Sequence, residues 1–247
     1  MGFRSHRRGQ RAGLALVCAL MLNAHTAAAA QPVCGARVLY DGRVPALPSA
    51  QGMQFAARGA VTQQLIAGGV ALDSSATAAA QGGYGSTAAP ISRTLGFALR
   101  FSIAISAETH SNQDRAGFSV IVLDEDTRGI ELSFWEDRIW AQEGGATPGL
   151  FTQAEGVTRS TAALTDYALR INDSRYALRA GGGDILSGPV RSYAAFSGFP
   201  DIYETPNFIF LGDNTTSAAV VARINDITLD FGRCAVYAPW VAFGAGK

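Results

Sequence analysis

Lysine is all but missing from this chain. Of the 20 basic side chains in its 247 residues one is Lys247 and the rest are arginines, matched by 20 acidic groups. No acid occurs before Asp41. Residues 1–30 instead hold Arg4, Arg7, Arg8 and Arg11, an apolar run over 12–22, and Ala28, Ala29 and Ala30, the layout of a secretory signal peptide cleaved after Ala30. Removing that segment with its four arginines leaves 16 basic groups against 20 acidic, a net charge of −4. An acidic, lysine-poor chain offers no electrostatic footprint for nucleic acid. Long hydrophobic runs are also lacking. The stretch over 12–22 is about 11 residues, short of the roughly 18 to 20 that span a bilayer, and no later stretch is better suited, so no transmembrane segment is expected in the mature chain.

Cysteine is scarce: Cys18 lies inside the apolar run, leaving Cys34 and Cys234 at opposite ends of the mature sequence. In an oxidising compartment that pair reads as one disulfide between the first and last strands. The Arg7-Arg8 pair lacks the continuation of a twin-arginine signal, and Gln31-Pro32-Val33 before Cys34 is not a lipobox, so ordinary export to the periplasm or the exterior is expected.

Histidine is nearly as rare. After cleavage only His110 remains, so a His-rich zinc site is excluded, and no G-x-S-x-G marks a serine hydrolase. Residues 124–129 faintly echo a calcium loop, but the twelfth position from Asp124 is Trp135 rather than Glu, which rules out an EF-hand. A calcium site of another type using Asp124, Asp126 or Asp213 stays open; otherwise no cofactor is expected.

What is present is strand pattern. Over 95–106, Phe97, Leu99, Phe101, Ile103 and Ile105 alternate with small or polar residues, which puts five large apolar groups on one face. Further strands are expected over 37–40, 70–73, 117–123, 129–135, 139–143, 167–172, 176–180, 207–211 and 220–231, with a tight turn at Asp173-Ser174. Residues 76–90, rich in Ala, Gly, Ser and Thr, read as a long surface loop. Many short strands and no long amphipathic helix give one all-β domain over 31–247, a sandwich or a barrel.

The most informative stretch is 129–143, GIELSFWEDRIWAQE. A turn at Asp137-Arg138 pairs Trp135 with Trp140 and Ser133 with Gln142. Leu132, Phe134, Ile139 and Ala141 then face a core, while Glu131, Ser133, Trp135, Trp140 and Gln142 share the other face. Two indoles beside a carboxylate, a hydroxyl and an amide suit a sugar-binding surface, the rings for pyranose C–H groups and the polar groups for hydroxyls. Strand tryptophans are also commonly packed beneath loops, so a structural role stands beside that one. Arg115 is either a ligand contact or the ion-pair partner of Asp114 or Glu131. Glu131 and Glu136, five apart, fall on opposite faces of a regular strand and cannot converge as a glycosidase pair.

Residues 114–123 (DRAGFSVIVL), 129–142, 150–157 (LFTQAEGV), 203–218 (YETPNFIFLGDNTTSA) and 38–52 together resemble the bacterial extracellular choice-of-anchor Y family. The resemblance implies an exported two-sheet antiparallel β-sandwich similar to the concanavalin A-like lectin and glucanase jelly rolls. It supplies no catalytic residues, and residues 238–247 show no anchoring tail. The expected function is a non-catalytic module that binds a glycan or cell-envelope polysaccharide through the tryptophan face. A glycoside hydrolase or polysaccharide lyase on the same scaffold and a structural surface protein are the alternatives.

Overall fold

A computed structural model describes residues 34–77, 79–198 and 201–232. They lie in a compact unit that spans Pro32–Lys247. The expectations for residues 1–30, for Cys234 and for the tail over 238–247 fall outside the described residues.

In chain order the strands are β1 (Gly35–Asp41), β2 (Gln54–Arg58), β3 (Thr62–Ile66), β4 (Gly69–Asp73), β5 (Gln81–Ser86), β6 (Phe97–His110), β7 (Phe118–Leu123), β8 (Arg128–Phe134), β9 (Arg138–Gln142), β10 (Gln153–Thr158), β11 (Thr165–Asn172), β12 (Arg175–Ala180), β13 (Gly183–Pro189), β14 (Arg191–Ser192), β15 (Phe208–Asp213) and β16 (Ala218–Phe231). They form two antiparallel sheets. The first runs β13-β12-β11-β6-β16-β4-β3, with β1 also on β16; the second runs β10-β9-β8-β7-β15-β5-β2, with β14 also on β8.

The alternation in β6 does what its period requires. Phe97, Leu99, Phe101, Ile103 and Ile105 all point into one core with Val120 and Val122 from β7, Leu132 and Phe134 from β8, and Ile139 and Ala141 from β9. Each sheet buries one face against the other, which makes the architecture a sandwich rather than a barrel. Two long strands, β6 and β16, pair along most of their lengths and form the middle of the first sheet.

Strands β2, β3 and β10 lie outside the expected set, and two other features differ from expectation. Residues 81–86, read from composition as loop, form β5 between β15 and β2. Glycine here permits close approach rather than disorder: a Cβ on Gly83 would lie 2.5 Å from the Leu211 carbonyl oxygen, and Gly212 opposite it has φ +148°. Tyr84 in the same strand is fully buried, and its hydroxyl donates to Gln63 Oε1 at 2.6 Å. The β8–β9 hairpin also turns one residue earlier than expected, which slips the pairing by two. Ser133 pairs with Trp140, Leu132 with Ala141 and Phe134 with Ile139, so Glu136 and Asp137 make the turn and Trp135 does not pair with Trp140. A slip of two preserves every side chain's face.

The Asp173-Ser174 turn stands as expected, with Asn172 paired to Arg175 and Asp173 at φ 52°. Gly181 and Gly182, at φ 61° and 88°, fold β13 back onto β12.

Candidate functional site

The hairpin face holding Glu131, Ser133, Trp140 and Gln142 is the outer face of the second sheet, and it is roofed. Phe151, Tyr193, Phe196, Ile202 and Tyr203, all from connecting segments, pack over Ile121, Leu123 and Phe210 as a second apolar cluster. Glu131, Ser133, Trp140 and Gln142 consequently have 0% exposure. The expected open tryptophan platform is therefore not what these residues form, because large apolar side chains on both layers gain more from burying each other than from facing water.

Inside this layer the polar groups satisfy one another. Glu131 accepts hydrogen bonds from Ser119 Oγ at 3.1 Å, from Asn214 Nδ2 at 3.0 Å and from the Tyr203 hydroxyl. Arg115 Nη2 lies 3.3 Å from Glu131 Oε1 and donates to Asn214 Oδ1 at 3.1 Å, while its guanidinium carbon sits 4.7 Å from the Phe151 ring centroid. Of the alternatives for Arg115, the ion pair with Glu131 is the one formed. The Glu131 N–H donates to Tyr193 Oη, whose hydroxyl donates in turn to the Gln142 carbonyl, both at 3.0 Å. Gln142 Nε2 donates to Ser133 Oγ at 2.7 Å and to the Asp114 carbonyl at 2.8 Å. Burial and the adjacent Glu131 carboxylate hold the Tyr203 hydroxyl well above the ordinary phenol range, so it stays a proton donor to Glu131. Tyr193, Tyr203 and Asn214 were not singled out from sequence. For the two tyrosines the signal is aromatic density within segments read as connections, and Asn214 carries none.

Trp135 sits at the margin of this layer, partly exposed. Its indole Nε1–H donates to the Arg115 carbonyl at 3.0 Å. His110 stacks on it at 3.9 Å between centroids and 7° between planes, and Trp140 meets it edge-on at 4.6 Å. His110, the last residue of β6, is fixed by Glu108, whose Oε2 is 2.8 Å from Nδ1. Glu108, His110, Trp135, Glu136 and Asp137 line a shallow depression of ≈ 280 Å³. Burial raises the Glu108 carboxyl above its ordinary value, opposed by His110 and reinforced by Glu136.

The proposed calcium ligands do not converge. Asp124 Oδ1 accepts the N–H groups of Asp126 and Arg128, each at 2.9 Å, and Oδ2 faces Arg93 Nε at 2.8 Å. Asp213 accepts the Ser74 hydroxyl at 2.6 Å and the Thr215 N–H at 3.0 Å. Among the described residues there is no group of three or more His, Cys, Asp or Glu that could hold a metal ion.

Asp213 is a titrating group of another kind. Only 1% exposed, its carboxyl is pushed by burial up to about 7, against the opposing pull of Ser74, Thr215 and Arg115. A folded value above the unfolded one means that the stability it contributes is complete below about pH 4 and is lost as pH rises through about 7. Asp213→Asn, which cannot titrate, is expected to retain stability that wild type loses between about pH 4 and about pH 8. The expected difference is on the order of 2 kcal/mol once local relaxation is allowed for. Parallel stability curves for the two proteins in denaturant titrations would refute this.

Two antiparallel sheets packed face to face, with the outer face of one built over by loops, define an all-β sandwich of the concanavalin A-like jelly-roll class. Among solved structures, a carbohydrate esterase from the Shiga toxin-encoding bacteriophage phi24B is similar over 80% of this chain and 100% of its own, at 14% identity and a TM-score of 0.57. A protein of unknown function with a galectin-like fold from Bacillus subtilis aligns over 82% of this chain and 100% of its own, at 10% identity and a TM-score of 0.48. The exoplasmic/lumenal domain of VIP36 in its Ca2+/Man2-bound form aligns over 78% and 86%, at 11% identity and a TM-score of 0.48. No protein-family model matches the sequence, and no curated protein does. Among the described residues no helix is long and apolar enough to cross a membrane.

Proposed function

We propose that the chain is an exported, non-catalytic module that binds a polysaccharide or glycoconjugate, and that the depression beside Trp135 is its contact surface. The carrying observation is the grouping there of the Trp135–His110 aromatic pair with Glu108, Glu136 and Asp137. Aromatic ring faces suit sugar C–H groups, and carboxylates accept from sugar hydroxyls. Glu131, Ser133, Trp140, Gln142 and Arg115 then act from beneath, fixing the hairpin and the Arg115 carbonyl that holds the Trp135 indole. A non-catalytic role is supported by Glu131, whose two oxygens are engaged by Ser119, Tyr203, Asn214 and Arg115 with none left for a substrate. The sandwich it shares with a protein described as a carbohydrate esterase is in keeping with a sugar ligand. The motifs that resemble the choice-of-anchor Y family support placing the chain in it.

Export is supported by the layout of residues 1–30, and the Cys34–Cys234 disulfide by register. Gly35, next to Cys34, pairs with Phe231, three residues before Cys234. Peptide mapping of non-reduced secreted protein should join the two cysteines, and N-terminal sequencing should begin at Gln31.

One observation favours an enzyme as the second reading. Glu136 Oε1 accepts the Glu108 N–H at 3.0 Å, so a carboxyl raised by burial lies near a second, exposed one. A glycan array on the mature protein, with sugar release assayed in parallel, decides between them. Trp135→Ala is expected to weaken glycan binding at least tenfold, and no sugar release is expected from wild type. Reproducible turnover that Glu108→Gln abolishes would replace the binding module with a hydrolase or lyase, and an array without a hit would end the glycan reading.

A further inference from the structure

Arginine collects on the outer face of the first sheet, a surface separate from the Trp135 depression. On three adjacent strands the inward side chains are Phe97, Leu99 and Phe101 of β6, Tyr167, Leu169 and Ile171 of β11, and Tyr176, Leu178 and Ala180 of β12. Alternation therefore turns Arg100, Arg170, Arg175 and Arg179 outward. The register sets them in a checkerboard. Ala168 lies between Arg100 and Arg179, and Arg170 lies between Ala98 and Ala177. Arg170 thus has the other three arginines as diagonal neighbours, at backbone separations of about 7–8 Å.

Two of the four have partners. Arg100 pairs with Asp230, and Arg179 pairs with Asp184 at 3.1 Å and donates to the Gly182 carbonyl at 2.7 Å. Half-buried Arg170 and exposed Arg175 make no side-chain hydrogen bond or ion pair among the described residues. Burial, followed by neighbouring Arg179, lowers Arg170 from the ordinary arginine value, against the opposing pull of Asp184 and Asp230, which are themselves paired with Arg179 and Arg100.

Past Arg175 the face meets a cavity of ≈ 500 Å³ lined by Arg93, Arg128, Ser174, Arg175, Pro189 and Val190, with no carboxylate in its lining. Arg93 is held by Asp124 at 2.8 Å and Asp126 at 3.0 Å. Arg128 is exposed and its side chain is unpaired among the described residues. Arg175 belongs to both the face and the cavity, so three unmatched guanidinium groups, Arg170, Arg175 and Arg128, follow one another along the surface.

We propose that this face and the adjoining cavity bind an anionic polysaccharide, one carrying carboxylate or sulfate groups, with its acid groups seated at Arg170, Arg175 and Arg128. Guanidinium forks match both oxyanions bidentately, which lysine does not. Among the described residues no aromatic side chain stands on this part of the face, so they form no stacking platform of the kind single-stranded nucleic acid requires. The site shares no lining residue with the depression at Trp135 and holds independently of that reading.

The test titrates the mature protein with polygalacturonate, dextran sulfate, uncharged dextran and poly(dT). Binding of polygalacturonate or dextran sulfate is expected, weakening as salt is raised, with none to dextran; which of the two binds tighter identifies the carboxylate or the sulfate as the natural group. Arg170→Gln with Arg175→Gln should lower that affinity at least tenfold. Its melting temperature should be unchanged or higher, since crowding of like charge is relieved. Trp135→Ala should leave the affinity unaltered. If the double variant fails to fold, Arg128→Gln decides, and it should lose at least threefold. No binding to either polyanion, an affinity indifferent to these arginines, or equal binding of poly(dT) would overturn the proposal.

Discussion

Trp140→Ala is expected to cost about 3–5 kcal/mol of folding stability, visible as a lower denaturant midpoint and melting temperature. The indole is fully buried between the hairpin and its roof, and contacts Trp135 edge-on. Truncation to a methyl group would leave a cavity in a layer whose other members, Glu131, Ser133 and Gln142, are tied by hydrogen bonds and cannot collapse into it. Trp140→Phe should cost much less, about 1–2 kcal/mol, because the Trp140 Nε1–H has no hydrogen-bond partner among the described residues and a smaller ring loses volume alone. Trp135 gives the converse pattern. It is partly exposed, but its indole N–H holds the Arg115 carbonyl, so Trp135→Phe gives up a hydrogen bond worth about 1 kcal/mol while losing little burial. A Trp140→Ala protein as stable as wild type, or a Trp140→Phe protein as damaged as Trp140→Ala, would mean that the indole is not packed as described.

The contrast between those tryptophans shows where sequence reasoning reaches and where it stops. Their common face was legible because strand alternation has a period of two, and the same rule placed Phe97 to Ile105 in the core and Leu132, Phe134, Ile139 and Ala141 opposite them. Parity survives a register slip of two, which is why the faces were right although the turn lies at Glu136-Asp137. Exposure is a different quantity. Whether a polar-looking sheet face meets water depends on what packs over it, and here that is Phe151, Tyr193, Phe196 and Tyr203, up to 72 residues from Glu131 along the chain. Local pattern contains no information about such contacts. Glycine misled for a related reason: composition made residues 81–86 a loop, whereas a strand pressed against the Leu211 carbonyl and Gly212 needs residues without side chains. The arginine face followed a rule that could have been applied sooner, since Arg170, Arg175 and Arg179 alternate with Ile171, Tyr176 and Leu178 on two strands joined by a recognisable turn.

Arg115→Met is expected to destabilise the protein by about 3–5 kcal/mol, because it leaves the Glu131 carboxylate inside the second apolar layer without its cation. Glu131 is 0% exposed, and the Arg115 side chain only 12%. Taking both charges out of water is costly, and their attraction offsets that cost only while both are present. The neutral donors Ser119, Tyr203 and Asn214 remain in the variant, so Glu131 keeps its hydrogen bonds and loses the ionic partner. Glu131→Gln alone should be harmful for the mirror reason, stranding a guanidinium whose Nη1 already lacks a hydrogen-bond partner. Combining the two substitutions removes both buried charges. The double variant is then expected to be more stable than either single one, with a coupling energy of about 2 kcal/mol or more in a double-mutant cycle. Additive losses would show that Arg115 and Glu131 act separately and that the hairpin face is held by apolar packing alone. Non-additive recovery would identify the pair as one unit. Its function would then be to fix the Arg115 carbonyl in place beneath Trp135, and glycan binding at the depression should fall in Arg115→Met in proportion to the loss of that order.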